Sequence, residues 1–158
     1  MPLSFGRAAR TAALTVTGSV LLASCASEPS TKTLTCPQPR FTGRAPDAYW
    51  TLTNPLAAND IDPSMGTRLY RESTGGAACA SCHGDRGEGD GPLANQFDTP
   101  PRNFACAATV NGIPDGQLFW IIRFGSPGTA MPGHPALADA QVWQLVSHLR
   151  RLALPSSR

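Results

Sequence analysis

The chain has 158 residues, room for one domain of about 100 residues beside a leader and a tail. Its 13 basic and 11 acidic residues give a formal charge of +2; Arg7 and Arg10 fall in a segment expected to be removed, which brings the remainder to near neutrality without any basic run, so the chain has no electrostatic footprint for nucleic acid. Aromatics make up only 7%, which leaves so small a domain short of apolar core, a shortage that a large apolar cofactor would relieve.

Arg7 and Arg10 form a positive n-region, and Thr11 to Leu22 is an apolar stretch too short to span a bilayer, which takes about 20 residues. The stretch ends in Leu22-Ala23-Ser24-Cys25, similar to the bacterial lipobox, in which a leucine three positions before a cysteine and two small residues direct lipid onto that cysteine. Residues 1–24 are expected to be a lipoprotein signal peptide and Cys25 the lipidated residue. The alternative is an ordinary secretory signal cut near Ala23 or Ala26, with Cys25 incidental. Acyl chains on Cys25 would hold the protein at a membrane, each buried methylene contributing about 0.8 kcal/mol. Ala26, in place of an aspartate, points to the outer membrane under the usual Gram-negative sorting rule. The expected location is the periplasmic side of a bacterial cell envelope.

Residues 25–60 are rich in Pro and Thr, with Pro29, Pro37, Pro39, Pro46 and Pro55, and read as a tether that becomes an irregular wrap around Tyr49-Trp50. The globular part is expected over 61–153. A helix starts at Asp62-Pro63-Ser64, with Asp62 or Ser64 as cap and Pro63 in the first turn, and stops before Gly75-Gly76. A second short helix carries Cys79 to His83. Gly84 to Gly91 is a glycine-rich loop, and Phe97 to Phe104 is extended. Asp115 to Phe124 is helical, with Leu118, Ile121 and Ile122 on a core face, and Ser126 to Pro135 is a loop. Ala138 to Leu152 is the longest helix, with Val142, Leu145, Val146 and Leu149 on one face and Arg150 and Arg151 at its C-terminal end. No strand alternation and no repeat is evident. The fold class is all-α: three to five short helices joined by long loops.

Five cysteines stand at 25, 36, 79, 82 and 106. Cys79-Ala80-Ser81-Cys82-His83 is the C-x-x-C-H pattern of c-type haem attachment. Two cysteines one helical turn apart present both sulfurs to one porphyrin edge, and the next residue projects its imidazole at the iron. A thioredoxin-type motif would want a βαβ context, which is missing. A zinc site would need a second ligand pair at short spacing, which Cys36 and Cys106 do not supply. With Cys25 assigned to lipid and Cys79 and Cys82 to haem, Cys36 and Cys106 remain, an even number in an oxidising compartment. A disulfide between them would close a loop of about 70 residues and contribute roughly 3–5 kcal/mol in the chain-entropy model. Two separate thiols, too far apart to bridge, are the alternative.

Six stretches, the haem motif among them, resemble, in order, a class I c-type cytochrome of the bacterial monohaem kind: Gly66-x-x-Leu69-Tyr70, Cys79 to Gly84, Gly87 to Pro92, Asp115 to Ile122, Gly128 to Pro132, and Trp143 to Arg150. The resemblance covers residues 54–152. It implies a cytochrome c fold around one covalent haem c, with His83 and a loop methionine, here Met131, as axial iron ligands. Met131 is also the better placed of the methionines by position, since Met1 is in the leader and Met65 opens the first helix. His134 is its rival; His/His ligation would lower the potential that Met raises. The resemblance further implies that the first and last helices cross at a glycine, matched by Gly66, with Tyr70, Leu145 and Leu149 around it. His148, where a tyrosine is common, is a departure and reads as a packing or surface histidine. Arg102, beside the segment expected along the haem edge, is a candidate partner for a haem propionate. Trp120 and Trp143 read as core or haem-wall residues.

Asp85, Glu88 and Asp90 lack the calcium-loop order and read as a solvated loop. The function expected is therefore that of a membrane-anchored electron carrier, not an enzyme, passing single electrons between redox proteins such as a dehydrogenase, an oxidase or another cytochrome. Its docking surface is expected around Ala80, Ser81 and Gly128 to Met131, with weak salt dependence because the chain is near neutral. A cytochrome subunit held permanently in a dehydrogenase or oxidase complex is the second reading. A haem enzyme or gas sensor with a labile sixth ligand is the third.

Overall fold

The computed structural model describes Met1 and residues 35–39, 42–72 and 76–154; Cys25 and the rest of the leader lie outside the described residues. The chain divides at residue 30, and everything below concerns the unit 31–158. Among the described residues there are six α-helices and no strand: α1 Asp47–Trp50, α2 Pro63–Arg71, α3 Cys79–His83, α4 Ala107–Val110, α5 Asp115–Phe124 and α6 Asp139–Leu152, with single 3-10 turns at Ala58–Asp60 and Ala94–Gln96. The fold is all-α, as the sequence predicts, with one helix more than the upper end of the expected range. The additional elements, α1 and α4, are single turns, too short for a three- and four-residue spacing to register in the sequence.

The local chemistry explains the helix starts. Asp62 caps α2, its carboxylate accepting from the Ser64 and Met65 amides at 2.8 and 3.2 Å, with Pro63 in the first turn. At α6, the Gln141 side chain reaches back to the Ala138 amide at 2.8 Å. Val142, Leu145, Val146 and Leu149 are all buried, as their spacing predicts.

The crossing of α2 over α6 organises the core. At Gly66 a Cβ would lie 3.0 Å from the His148 Cβ and 3.1 Å from the Gln144 carbonyl oxygen, so the two backbones meet where only hydrogen fits comfortably. One turn on, the Tyr70 ring lies 4.9 Å from that of His148, and its hydroxyl donates to the Gly84 carbonyl at 2.9 Å. The crossing is thus tied directly to the residue after His83. His148 is a packing histidine: it is buried, its Nδ1 lies 3.0 Å from Arg151 Nη2, and its Nε2 is buried without a partner. Because the guanidinium can only donate, Nδ1 accepts and Nε2 carries the proton. In the same last turn of α6, Arg150 ties the helix to the start of α5 through Asp115, at 2.6 and 2.9 Å, and through the Val110 carbonyl at 2.7 Å.

The folded unit reaches further towards the N-terminus than Asp62. Ala45 is buried and donates its amide to the Gln117 side chain at 2.7 Å. Tyr49 packs against Phe119 and Phe124, with ring centroids 6.3 and 5.3 Å away. Asn54 donates to the Trp143 carbonyl at 3.1 Å and to Ser147 Oγ at 2.8 Å. Gln144 holds the Asp60 carbonyl and the Asp62 amide at 2.6 and 2.9 Å. Cys36 and Cys106 are joined as a disulfide with Cα atoms 5.8 Å apart. This segment is a strap over the helices, held by side-chain amides more than by apolar burial.

Burial, and then the charges of Arg151 and Arg71, push the His148 pKa down from 6.5 to about 4. The unfolded chain therefore takes up a proton near pH 6.5 that the folded chain refuses until near pH 4. Stability from this site is complete above pH 6.5 and is lost as pH falls towards 4. In denaturant unfolding between pH 7 and pH 4.5, His148→Phe is expected to lose less stability than the parent protein; equal losses would place the acid sensitivity elsewhere.

Candidate functional site

A cavity of about 330 Å³ opens beside α3, within the range of cofactor sites of about 300–1,000 Å³. Cys79, Cys82, His83, Arg102, Met131 and His134 all line it, together with apolar walls from Phe104, Leu118, Ile121 and Ile122. The residues singled out in the sequence therefore converge on one space, rival ligands included. Trp120 and Trp143 are not on that lining: Trp143 is buried on Phe119 at 4.5 Å, and Trp120 is half-buried near Phe124.

His83 closes α3 and is 8% exposed. Its Nδ1 lies 3.0 Å from the Arg102 carbonyl oxygen, and its ring packs on Phe104 at 4.6 Å. A carbonyl only accepts, so Nδ1 carries the proton and Nε2 keeps its lone pair. Burial pushes the imidazole down to about 4, so it is neutral at physiological pH. Neither Cys79 nor Cys82 is disulfide-bonded, and both are half-buried. Burial pushes Cys79 up to about 11, and Cys82 is raised by the same cause. One wall of an apolar cavity thus presents two thiols a turn apart and a neutral imidazole whose second nitrogen is already held by a carbonyl. That is the donor set and the outer hydrogen bond that an iron porphyrin with two thioether links requires.

The loop after α3 positions this wall. The amides of Gly89, Gly91 and Leu93 donate to the carbonyls of His83, Cys82 and Ser81 at 2.8, 3.1 and 2.9 Å, satisfying the orphan acceptors of a five-residue helix. A Cβ on Gly91 would lie 2.5 Å from both the Ala80 and the Ser81 carbonyl oxygens, so loop and helix touch backbone to backbone. Its acidic residues face arginines, Asp85 with Arg71 at 3.4 Å and Glu88 with Arg86 at 2.8 Å.

Met131 stands on a loop pinned to the end of α5. The Ser126 amide donates to the Met131 carbonyl at 3.1 Å, the Met131 amide meets Thr129 Oγ1 at 3.3 Å, and the His134 amide donates to Ile122 at 3.0 Å. Arg123 gathers the far side of the loop, donating to the carbonyls of His134 and Pro135 at 3.3 Å each and, more closely, to Leu137 and the Asp139 carboxylate. Arg102 contributes its carbonyl to His83, while its guanidinium donates to the Pro39 carbonyl at 3.0 Å.

Sequence reasoning gave no role to Gln38, which also lines the cavity, or to Arg123. The signal available was weak: Gln38 is two residues from a cysteine expected to be bridged, and Arg123 is a lone charge in an apolar helix.

An all-α domain with these donors around an apolar cavity is a c-type haem-binding domain. The family model for cytochrome c matches residues 64–153, more than half of the chain, and the chain belongs to the cytochrome c family. Its haem c is covalently held, and Cys79, Cys82 and His83 supply the attachment motif. Electron transfer through that haem is the role the family assigns. Among solved structures, the chain is similar to a chain of the Kuenenia stuttgartiensis reducing HAO-like protein complex, with a TM-score of 0.55 and 26% identity over 63% of this chain. The similar region spans 47% of that chain, about half its length. No curated protein matches the sequence.

Gly91→Ala should cost about 1–3 kcal/mol, the usual range for overpacking, and reduce the yield of haem-loaded protein. Thermal unfolding and haem absorbance per polypeptide would measure both; a parent-like Tm would show that the loop does not brace α3.

Proposed function

We propose that this cytochrome is a membrane-anchored, single-haem electron relay whose iron is held by His83 and Met131. The observation that supports it best is the lining of one apolar cavity by both side chains, with the methionine loop fixed at several points to α5. The haem supplies a one-electron iron couple. The chain's residues would do the rest: Cys79 and Cys82 would fix it, His83 would offer its Nε2 lone pair to the iron, Met131 would hold the iron against substrates, and Phe104 and Leu118 would keep water away. Arg102, on the cavity wall, is the counter-charge for a propionate. His134 lines the same cavity, but Met131 precedes the proline as the family motif has it.

Cys25 carries the lipid in this reading, and the partners are redox proteins of the cell envelope. The alternative of a permanent subunit gains some support because the structural relative is a chain of a multi-protein complex. No described helix is long and apolar enough to cross a membrane, so anchoring rests on the leader.

Met131→Ala is expected to abolish the weak long-wavelength absorption band of sulfur–iron(III) coordination, lower the reduction potential and let carbon monoxide bind the reduced protein. Retention of the band would reject Met131. Cys25→Ser should move the protein from the membrane fraction to the soluble fraction; unchanged fractionation would reject the lipid anchor.

A further inference from the structure

We infer that Gln38 is a positioning residue for His83, acting through the peptide group between Arg102 and Asn103. The inference rests on the reading of His83 as an iron ligand. That peptide group is gripped at both ends. Its carbonyl, on Arg102, accepts from His83 Nδ1 at 3.0 Å. Its N–H, on Asn103, donates to Gln38 Oε1 at 2.7 Å. The same carboxamide turns its Nε2 to the preceding carbonyl, on Pro101, at 3.2 Å. One glutamine therefore holds the peptide groups on both sides of Arg102, a task that needs an acceptor and a donor side by side.

The strap is itself fixed so that Gln38 cannot slide. The Gln38 amide donates to Thr109 Oγ1 at 2.9 Å, and the Arg102 guanidinium donates to the Pro39 carbonyl at 3.0 Å. Two residues before Gln38, Cys36 is bonded to Cys106, which precedes α4. The prolines on either side, Pro37 and Pro39, have no N–H to offer in its place.

The consequence is electronic as well as geometric. A hydrogen bond accepted from a peptide N–H polarises the group and makes its carbonyl a better acceptor. A better acceptor at Nδ1–H makes the imidazole a stronger donor to iron, which favours the oxidised state and lowers the potential. Gln38 thereby sets how strongly His83 donates. A purely structural clamp would leave a different mark: loosening it admits water, which also favours the oxidised, more charged state, so the potential would fall.

The test uses the haem-loaded full-length protein and Gln38→Leu, which keeps the bulk and removes both hydrogen bonds. The reduction potential is expected to rise, the methionine–iron band to persist, and the His83 Nδ1 proton, followed by NMR, to exchange with solvent on the order of tenfold faster, about the weight of one hydrogen bond. An unchanged or lower potential, or unchanged exchange, would overturn the inference. Should Gln38→Leu fail to load haem, Thr109→Val, which frees the strap backbone while leaving the Gln38 carboxamide in place, is read by both measurements together: a smaller rise with faster exchange supports the role, and unchanged exchange overturns it. A parent protein whose His83 ring lacks iron-shifted resonances would instead overturn the reading of His83, and this inference with it.

Discussion

The hydrogen bond from His83 Nδ1 to the Arg102 carbonyl is the contact on which the rest of the site depends. It fixes the tautomer, and so decides that Nε2 and not Nδ1 keeps a lone pair for iron. It also joins the attachment helix to the segment running from Arg102 to Phe104, whose last ring packs on the imidazole. Each partner is braced from behind: α3 by the glycine loop and by Tyr70 through Gly84, the Arg102 carbonyl by the strap. The haem site is therefore as rigid as these braces, because the helix that carries the donors is only five residues long.

A second constraint is the shortness of the helices. Short helices and long loops leave many backbone groups outside regular hydrogen bonding, and a buried backbone group left unpaired is costly. Side-chain amides answer this need. Gln38 serves the segment along the cavity, Gln117 the strap at Gly43 and Ala45, Asn54 the carbonyl of Trp143, and Gln144 the chain entering α2. His148 shows the opposite case: its Nε2 stays unpaired where α2 and α6 are closest, beside the glycine that permits the approach.

Much of this was legible in the sequence. The spans of α2, α3, α5 and α6 follow from caps, breakers and apolar spacing, and Gly66 marks the crossing. The convergence of Cys79, Cys82, His83 and Met131 on one cavity follows from two motifs separated by nearly fifty positions, readable because haem attachment demands a fixed local spacing. The strap was legible only in outline, as an irregular wrap around Tyr49-Trp50 that a Cys36–Cys106 bridge would hold. Its anchors are single polar side chains, and neither hydropathy nor period records whether a glutamine faces solvent or clamps a peptide group. The glycine loop after α3 was read as solvated, because its work is done by backbone amides that any sequence carries; only Gly91, pressed against α3, leaves a trace in the residue type.

The most direct test of the haem site is the intact mass of the protein, purified from a host that matures c-type cytochromes and measured denatured and reduced. The expected result is the polypeptide plus one haem, retained after acid extraction and mapped to the peptide spanning Cys79 to His83. A mass equal to the polypeptide alone, with Cys79 and Cys82 recovered as free thiols, would contradict it.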